Sequence, residues 1–230
     1  MSEQVVKEDV INPSEVCYRA FELLRLKAFD DAEKLLSNCL SKVPDDVSRA
    51  LFHSTLGVLY KMKGEFKNAW RHYERAEKLI PNDPALKIIS ARLLIDEFAE
   101  YDQAIKKAKK VLELLPNNPA FKHQAYITMG LAYVKKGSKK NALEMLKKSM
   151  EGDFEGFIST KNIDFHLCEA VLKKGWAEND VKTFLEKSFE FAKKHEESDW
   201  METIQKMLDQ FPKEGEANTD NEITGVNHKL

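Results

Sequence analysis

The chain has 230 residues, 43% of them hydrophobic and 32% charged, with a formal net charge of −2. That hydrophobic share supports a continuous core, whereas nine glycines and seven prolines are too few for the turns of a β-protein. Near-neutrality gives no global attraction to nucleic acid or an anionic membrane. The odd set Cys17, Cys39 and Cys168, without a Cys-x-x-Cys pair, argues against a disulfide framework or a zinc module.

The opening MSEQVVKEDVINP carries no apolar signal-like core, and no apolar run anywhere is long enough to span a bilayer. Residues 1–12 are therefore read as a soluble extension, and the cytoplasm is the expected location. From Pro13 the chain becomes periodic. Residues 13–46 place Ala20, Leu23, Phe29, Ala32, Leu36, Cys39 and Pro44 on a frame. It returns in 50–83 as Leu56-Gly57, Tyr60, Phe66, Ala69, Tyr73, Ala76 and Pro81. A third copy over 85–118 carries Ala91, Ile95, Tyr101, Ala104, Ala108 and Pro116, with Arg92 in place of a small residue. A fourth, 123–156, carries Tyr126, Met129-Gly130, Tyr133, Gly137 and Ala142, but Phe154 stands where the closing proline belongs.

The frame has a mechanical sense. Small residues sit where helices approach closely, large ones fill the space between hairpins, Gly64 makes a turn, and Pro81 stops a helix. Asp83-Pro84 and Asn118-Pro119 each offer an N-cap acceptor followed by proline at the first helical position. Residues 157–197 read as a degenerate fifth hairpin: Phe165, Leu167, Cys168, Val171 and Leu172 form one stripe, Phe184, Leu185, Phe189 and Ala192 another. There Asp180 occupies the slot of a small residue. Asp199-Trp-Met-Glu202 looks like a capping box that opens a terminal helix over 198–211, with Trp200, Ile204 and Met207 on its apolar face. Such a helix would cover the open end of an array. Residues 212–230 are polar and aperiodic, and a flexible tail is expected.

These residue types at these offsets resemble the tetratricopeptide (TPR) repeat, a 34-residue helix-turn-helix. The resemblance implies an all-α, right-handed α-solenoid of antiparallel helix hairpins, with four clear repeats, a degenerate fifth and a C-terminal capping helix. It also implies that the first helix of each hairpin lines a concave groove. The matching slots hold Cys17, Phe21 and Leu24, then Leu51, Val58 and Met62, then Ile89 and Leu93, then Ile127, Leu131 and Val134. A groove floored by Phe21, Val58, Leu93 and Leu131 would be apolar, suited to an amphipathic helix or an extended apolar segment. Its occupant is either a partner protein or the chain's own ends, through Val5, Val6, Val10 and Ile11 or the tail. The TPR subclass that clamps acidic chaperone tails uses Lys and Asn, and Cys17, Phe21, Ser54 and Val58 cannot replace them.

Residues 103–148 hold eleven lysines against Glu113 and Glu144. Lys106, Lys107, Lys109, Lys110, Lys147 and Lys148 fall on outward slots of second helices, while Lys139 and Lys140 border a turn. This is either a solvated face or a docking surface for an acidic partner; without arginines or interleaved aromatics, nucleic acid is not expected. No Gly-rich phosphate loop, no His-x-x-x-His pair and no nucleophile constellation occurs. His166 and Cys168, two apart on a helix, point to different faces. The expectation is a non-enzymatic adaptor with no cofactor, no metal and no membrane insertion. The second reading is a self-associating subunit of a pilus, secretion or polarity assembly.

Overall fold

The protein is described here from a computed structural model covering residues 12–176 and 178–211, in which all regular structure is helical. Eleven α-helices follow in order: α1 Pro13–Arg25, α2 Phe29–Leu40, α3 Asp46–Met62, α4 Phe66–Leu79, α5 Pro84–Leu93, α6 Tyr101–Leu114, α7 Pro119–Lys135, α8 Lys139–Ser149, α9 His166–Lys173, α10 Glu178–Lys194 and α11 Ser198–Leu208. Odd- and even-numbered helices pair as successive hairpins from α1 to α10, and each hairpin packs on the next. The Val5, Val6, Val10 and Ile11 cluster and the tail from 212 onward lie outside the described residues.

The helices begin where short polar acceptors stand. Asn12 accepts from the amides of Ser14 and Glu15, Asp45 from Ser48, Asp83 from Leu86 and Asn118 from Phe121. Each satisfies amide donors that the first turn leaves without an intrahelical partner. At α11 the structure differs from the expected capping box. Asp199 lies inside the helix, Glu197 is the N-cap without a side-chain bond, and Glu202 pairs with Lys206 at 2.6 Å. Glu197 instead accepts from the Thr160 amide at 2.8 Å, tying the helix to the preceding loop.

One turn recurs between the helices. Lys27, Gly64, Ala99, Gly137, Gly175 and Glu196 all have a left-handed backbone. In five of these turns the next amide donates to a carbonyl five residues back: Ala28 to Leu23, Glu65 to Tyr60, Ser138 to Tyr133, Trp176 to Val171 and Glu197 to Ala192. This is the Schellman closure of a helix C-terminus. At Ala99 it is wider, because Leu94–Phe98 is a π-helical turn and the Glu100 amide reaches back to Leu94.

Close packing follows the frame. A Cβ on Gly57 would lie 2.3 Å from the Tyr73 ring, so only glycine lets α3 and α4 approach this closely. Phe154, in the place of the missing proline, is buried and meets Phe184 and Phe191 edge-on at 5.8 and 6.1 Å. It turns the chain into the loop before α9 by packing, where the other copies use proline. Cys168 is fully buried, and desolvation raises its thiol pKa to about 12, so it is inert packing material.

Candidate binding groove

The predicted groove slots divide into two kinds. Phe21 and Met62 are 47% and 50% exposed, while Leu51, Val58, Ile89 and Leu131 are half-buried and still show a face. Cys17, Leu24, Leu93, Ile127 and Val134 are buried. This corrects their assignment as lining residues. Leu93 packs with Ala69 and Tyr73 of the preceding hairpin, and Ile127 and Val134 belong to the core of the C-terminal half. They are core residues. Cys17 is further engaged as the acceptor of the Thr55 hydroxyl at 3.3 Å.

A concavity lies towards the C-terminus, at residues the repeat frame does not mark. A cavity of about 500 Å³ opens among α7, α9 and α11 and the loop before α9. Its apolar wall is Ile163, Phe165, Trp200, Ile204 and Met207; Gln124, His166, Glu169 and Thr203 form the polar rim. Phe165 and Trp200 stack with centroids 5.8 Å apart and planes 10° apart, and Phe165 meets Phe184 edge-on at 5.6 Å. Two rings held against a packed core make a rigid wall. The sequence signal was present in the apolar stripes of 157–211, but it identified them as core and cap.

A polar network fixes the cavity's inner edge. Arg92, in the slot where other repeats carry a small residue, donates through Nε to the Thr128 hydroxyl at 2.9 Å and through its guanidinium to Asp164 at 2.6 Å. Asp164 also accepts from the His166 amide at 3.0 Å and contacts its Nδ1 at 2.7 Å. Burial drives the Asp164 carboxyl upward, yet the charge of Arg92 and the His166 bonds outweigh it and hold the group below the usual carboxylate range. The Asp164 amide donates to His123 Nε2 at 2.8 Å, and His123 Nδ1 meets the Ser149 carbonyl at 2.7 Å.

On the second helices, several of the predicted basic residues are already paired. Lys107 binds Glu77 at 2.6 Å and lies 5.5 Å over the Trp70 ring. Lys110 pairs with Glu113 at 2.9 Å, Lys147 with Asp180 at 3.2 Å and Lys148 with Glu144 at 2.7 Å. Asp180, in the slot of a small residue, thus serves as a lysine partner. Lys106, Lys109, Lys139 and Lys140 have no carboxylate within 4.0 Å among the described residues. No group of three or more His, Cys, Asp or Glu among the described residues is placed to hold a metal, and no helix is long and apolar enough to cross a membrane.

The helix-hairpin array has the fold of solved tetratricopeptide-repeat structures. A thermophilic TPR protein of Thermus thermophilus is similar with a TM-score of 0.59 and 17% identity, over 86% of this chain and 99% of that one. PilW, titled a widely conserved type IV pilus biogenesis factor, is similar with a TM-score of 0.60 and 15% identity, over 86% and 92%. The apo form of RapI gives a TM-score of 0.62 and 20% identity, over 90% and 79%. The chain matches no protein-family model, and no curated protein matches it in sequence. At such identities the likeness is one of fold.

Proposed function

We propose that the chain is a non-enzymatic adaptor that holds an amphipathic helix or extended apolar segment of another protein in its concave groove. The Phe165–Trp200 cavity carries this reading. It is an aromatic-walled recess among the first helices, of a size to receive an anchoring leucine or phenylalanine, and its rim can orient a backbone. Phe21, Val58, Met62 and Leu131 extend apolar surface along the other first helices. Affinity drawn from apolar burial is largely insensitive to salt.

The test is a selection of peptides from a random display library on the folded chain, with affinities then compared across two exposed substitutions. Thr203→Arg places a charged side chain in the cavity mouth, and Met62→Glu charges the other end of the groove. The selected peptides should lose about tenfold or more in affinity on one variant or both, as expected of central anchors. Undiminished binding to both folded variants would sink the reading.

A second reading has its own observation. Tyr18 on α1 and Leu26 at its C-cap are 69% and 68% exposed, apolar surface on the first described hairpin. It favours end-on self-association, the mode an assembly subunit would use. Sedimentation that shows a concentration-independent monomer rules this out.

A further inference from the structure

We propose that a lysine-lined cavity on the second-helix side binds an acidic segment of a partner protein, independently of the groove. The cavity measures about 850 Å³ and is bordered by α4, α5, α6 and α7. Its position follows from the phase of α6. Ala104, Ile105, Ala108 and Val111 are buried, which turns Lys106, Lys109 and Lys110 outward on one side.

The carboxylates already present are in use. Glu77 holds Lys107 at 2.6 Å and Lys87 at 3.9 Å, and also accepts from the Ser90 hydroxyl. Glu113 pairs with Lys110, and Asp102 with Lys136 at 2.5 Å. No carboxylate among the described residues lies within 4.0 Å of Lys106 or Lys109. The cavity thus presents two unpaired ammonium groups. Two more, Lys110 and Lys136, have partners that are 66% and 85% exposed, and such pairs are weak and exchangeable. The buried Ile105 and half-buried Tyr133 supply apolar floor for the stems of acidic side chains.

The spacing suits a peptide. Lys106 and Lys110 stand one helical turn apart, about 5–6 Å. Same-side residues of an extended segment recur every ~6.6 Å, within reach of flexible lysine stems. Nucleic acid fits less well. The lining holds no arginine and no exposed ring on which a base could stack, and the chain as a whole carries a net −2 that repels a long polyanion.

The test uses a fluorescent Glu/Asp-rich peptide and the full chain, with anisotropy as readout, alongside a single-stranded oligonucleotide and anionic phosphatidylserine vesicles. Near 0.1 M salt, where screening acts over about 10 Å, the peptide should bind, and binding should fade as salt approaches 1 M. Lys106→Glu with Lys109→Glu should weaken the peptide by about tenfold or more, two exposed pairs being lost and reversed. Thr203→Arg should leave it unchanged, which separates this site from the groove. The proposal is overturned if the peptide fails to bind, or if the folded double variant binds it as wild type does. Tighter binding of the oligonucleotide or the vesicles with the same lysine dependence overturns it too.

Discussion

At His123 both ring nitrogens are engaged. The Asp164 amide can only donate, so Nε2 must accept and Nδ1 must carry the proton given to Ser149. Charging the ring would set an N–H against an N–H beside the Arg92 guanidinium, and burial, the largest cause, lowers the pKa further. His72 behaves alike. Desolvation and the neighbouring His53 bring it down to about 4, with the two rings' Nδ1 atoms 3.1 Å apart. Both folded values lie below the unfolded value near ~6.5. Their contribution is therefore complete above that pH and is lost as pH falls below it. The melting temperature should drop between about pH 7.5 and pH 5, and the drop should shrink in a His72→Phe variant. A pH-independent melt contradicts this.

Three of the left-handed turn positions, Lys27, Ala99 and Glu196, carry side chains that resist the conformation. Lys27 and Ala99 have φ of 59° and 56°, where an L-residue costs roughly 1–2 kcal/mol over glycine, partly offset by the unfolded-state freedom glycine adds. Lys27→Gly and Ala99→Gly should each stabilise by about 0.5–1 kcal/mol in urea titration. A loss of stability at Lys27, whose side chain is exposed, would show that the turn is not strained.

Among elements, α3 and α4 approach closely at Gly57. Gly57→Ala should cost about 1–3 kcal/mol, because the Tyr73 ring is rigid and buried. Gly130→Ala should cost less: its Cβ would meet the branched end of Leu167 at 2.2 Å, which can shift. The reverse order would mean that the α7–α9 contact is the tighter. The ion pair between α5 and the loop before α9 is a second element-scale test. Asp164 and Arg92 are only 11% and 16% exposed, so Asp164→Ala strands a nearly buried guanidinium and should cost about 3 kcal/mol. Removing both partners should cost less than the two single losses added together.

What the sequence showed and what it hid have the same physical origin. Caps, turns and small-residue slots act over a few residues, so Asp83-Pro84, Gly64 and Gly57 announced their roles directly. The groove slots depended on where the next hairpin lands. The periodic frame placed Leu93 and Ile127 on the concave side, but neighbouring helices cover them. Phe165 precedes α9 and Trp200 lies in α11, both outside the clear repeats, so nothing in their spacing tied them to one cavity. Arg92 stood out as a misfit, and its partner lay 72 residues away.

At the scale of the molecule, the two proposed surfaces differ in chemistry: apolar on the first-helix side, charged on the second. Helix α11 packs on the hairpins before it, its Ile204 fully buried and Trp200 on the Phe165 ring. A chain ended after Glu197 should melt at lower temperature and aggregate, since it exposes the apolar face that α11 covers. An unchanged melt would show that α11 is dispensable.

The Arg92–Asp164 bond has a consequence for how such a chain can change its length. Solenoids usually lengthen or shorten by copying or dropping a unit, because each unit touches only its neighbours. Here the third hairpin grips the entrance to the fifth across the fourth. A unit inserted or deleted between residues 92 and 164 would carry the carboxylate away from the guanidinium and break the ion pair. A change in the number of units between α5 and α9 therefore costs this ion pair, whereas one outside that stretch does not.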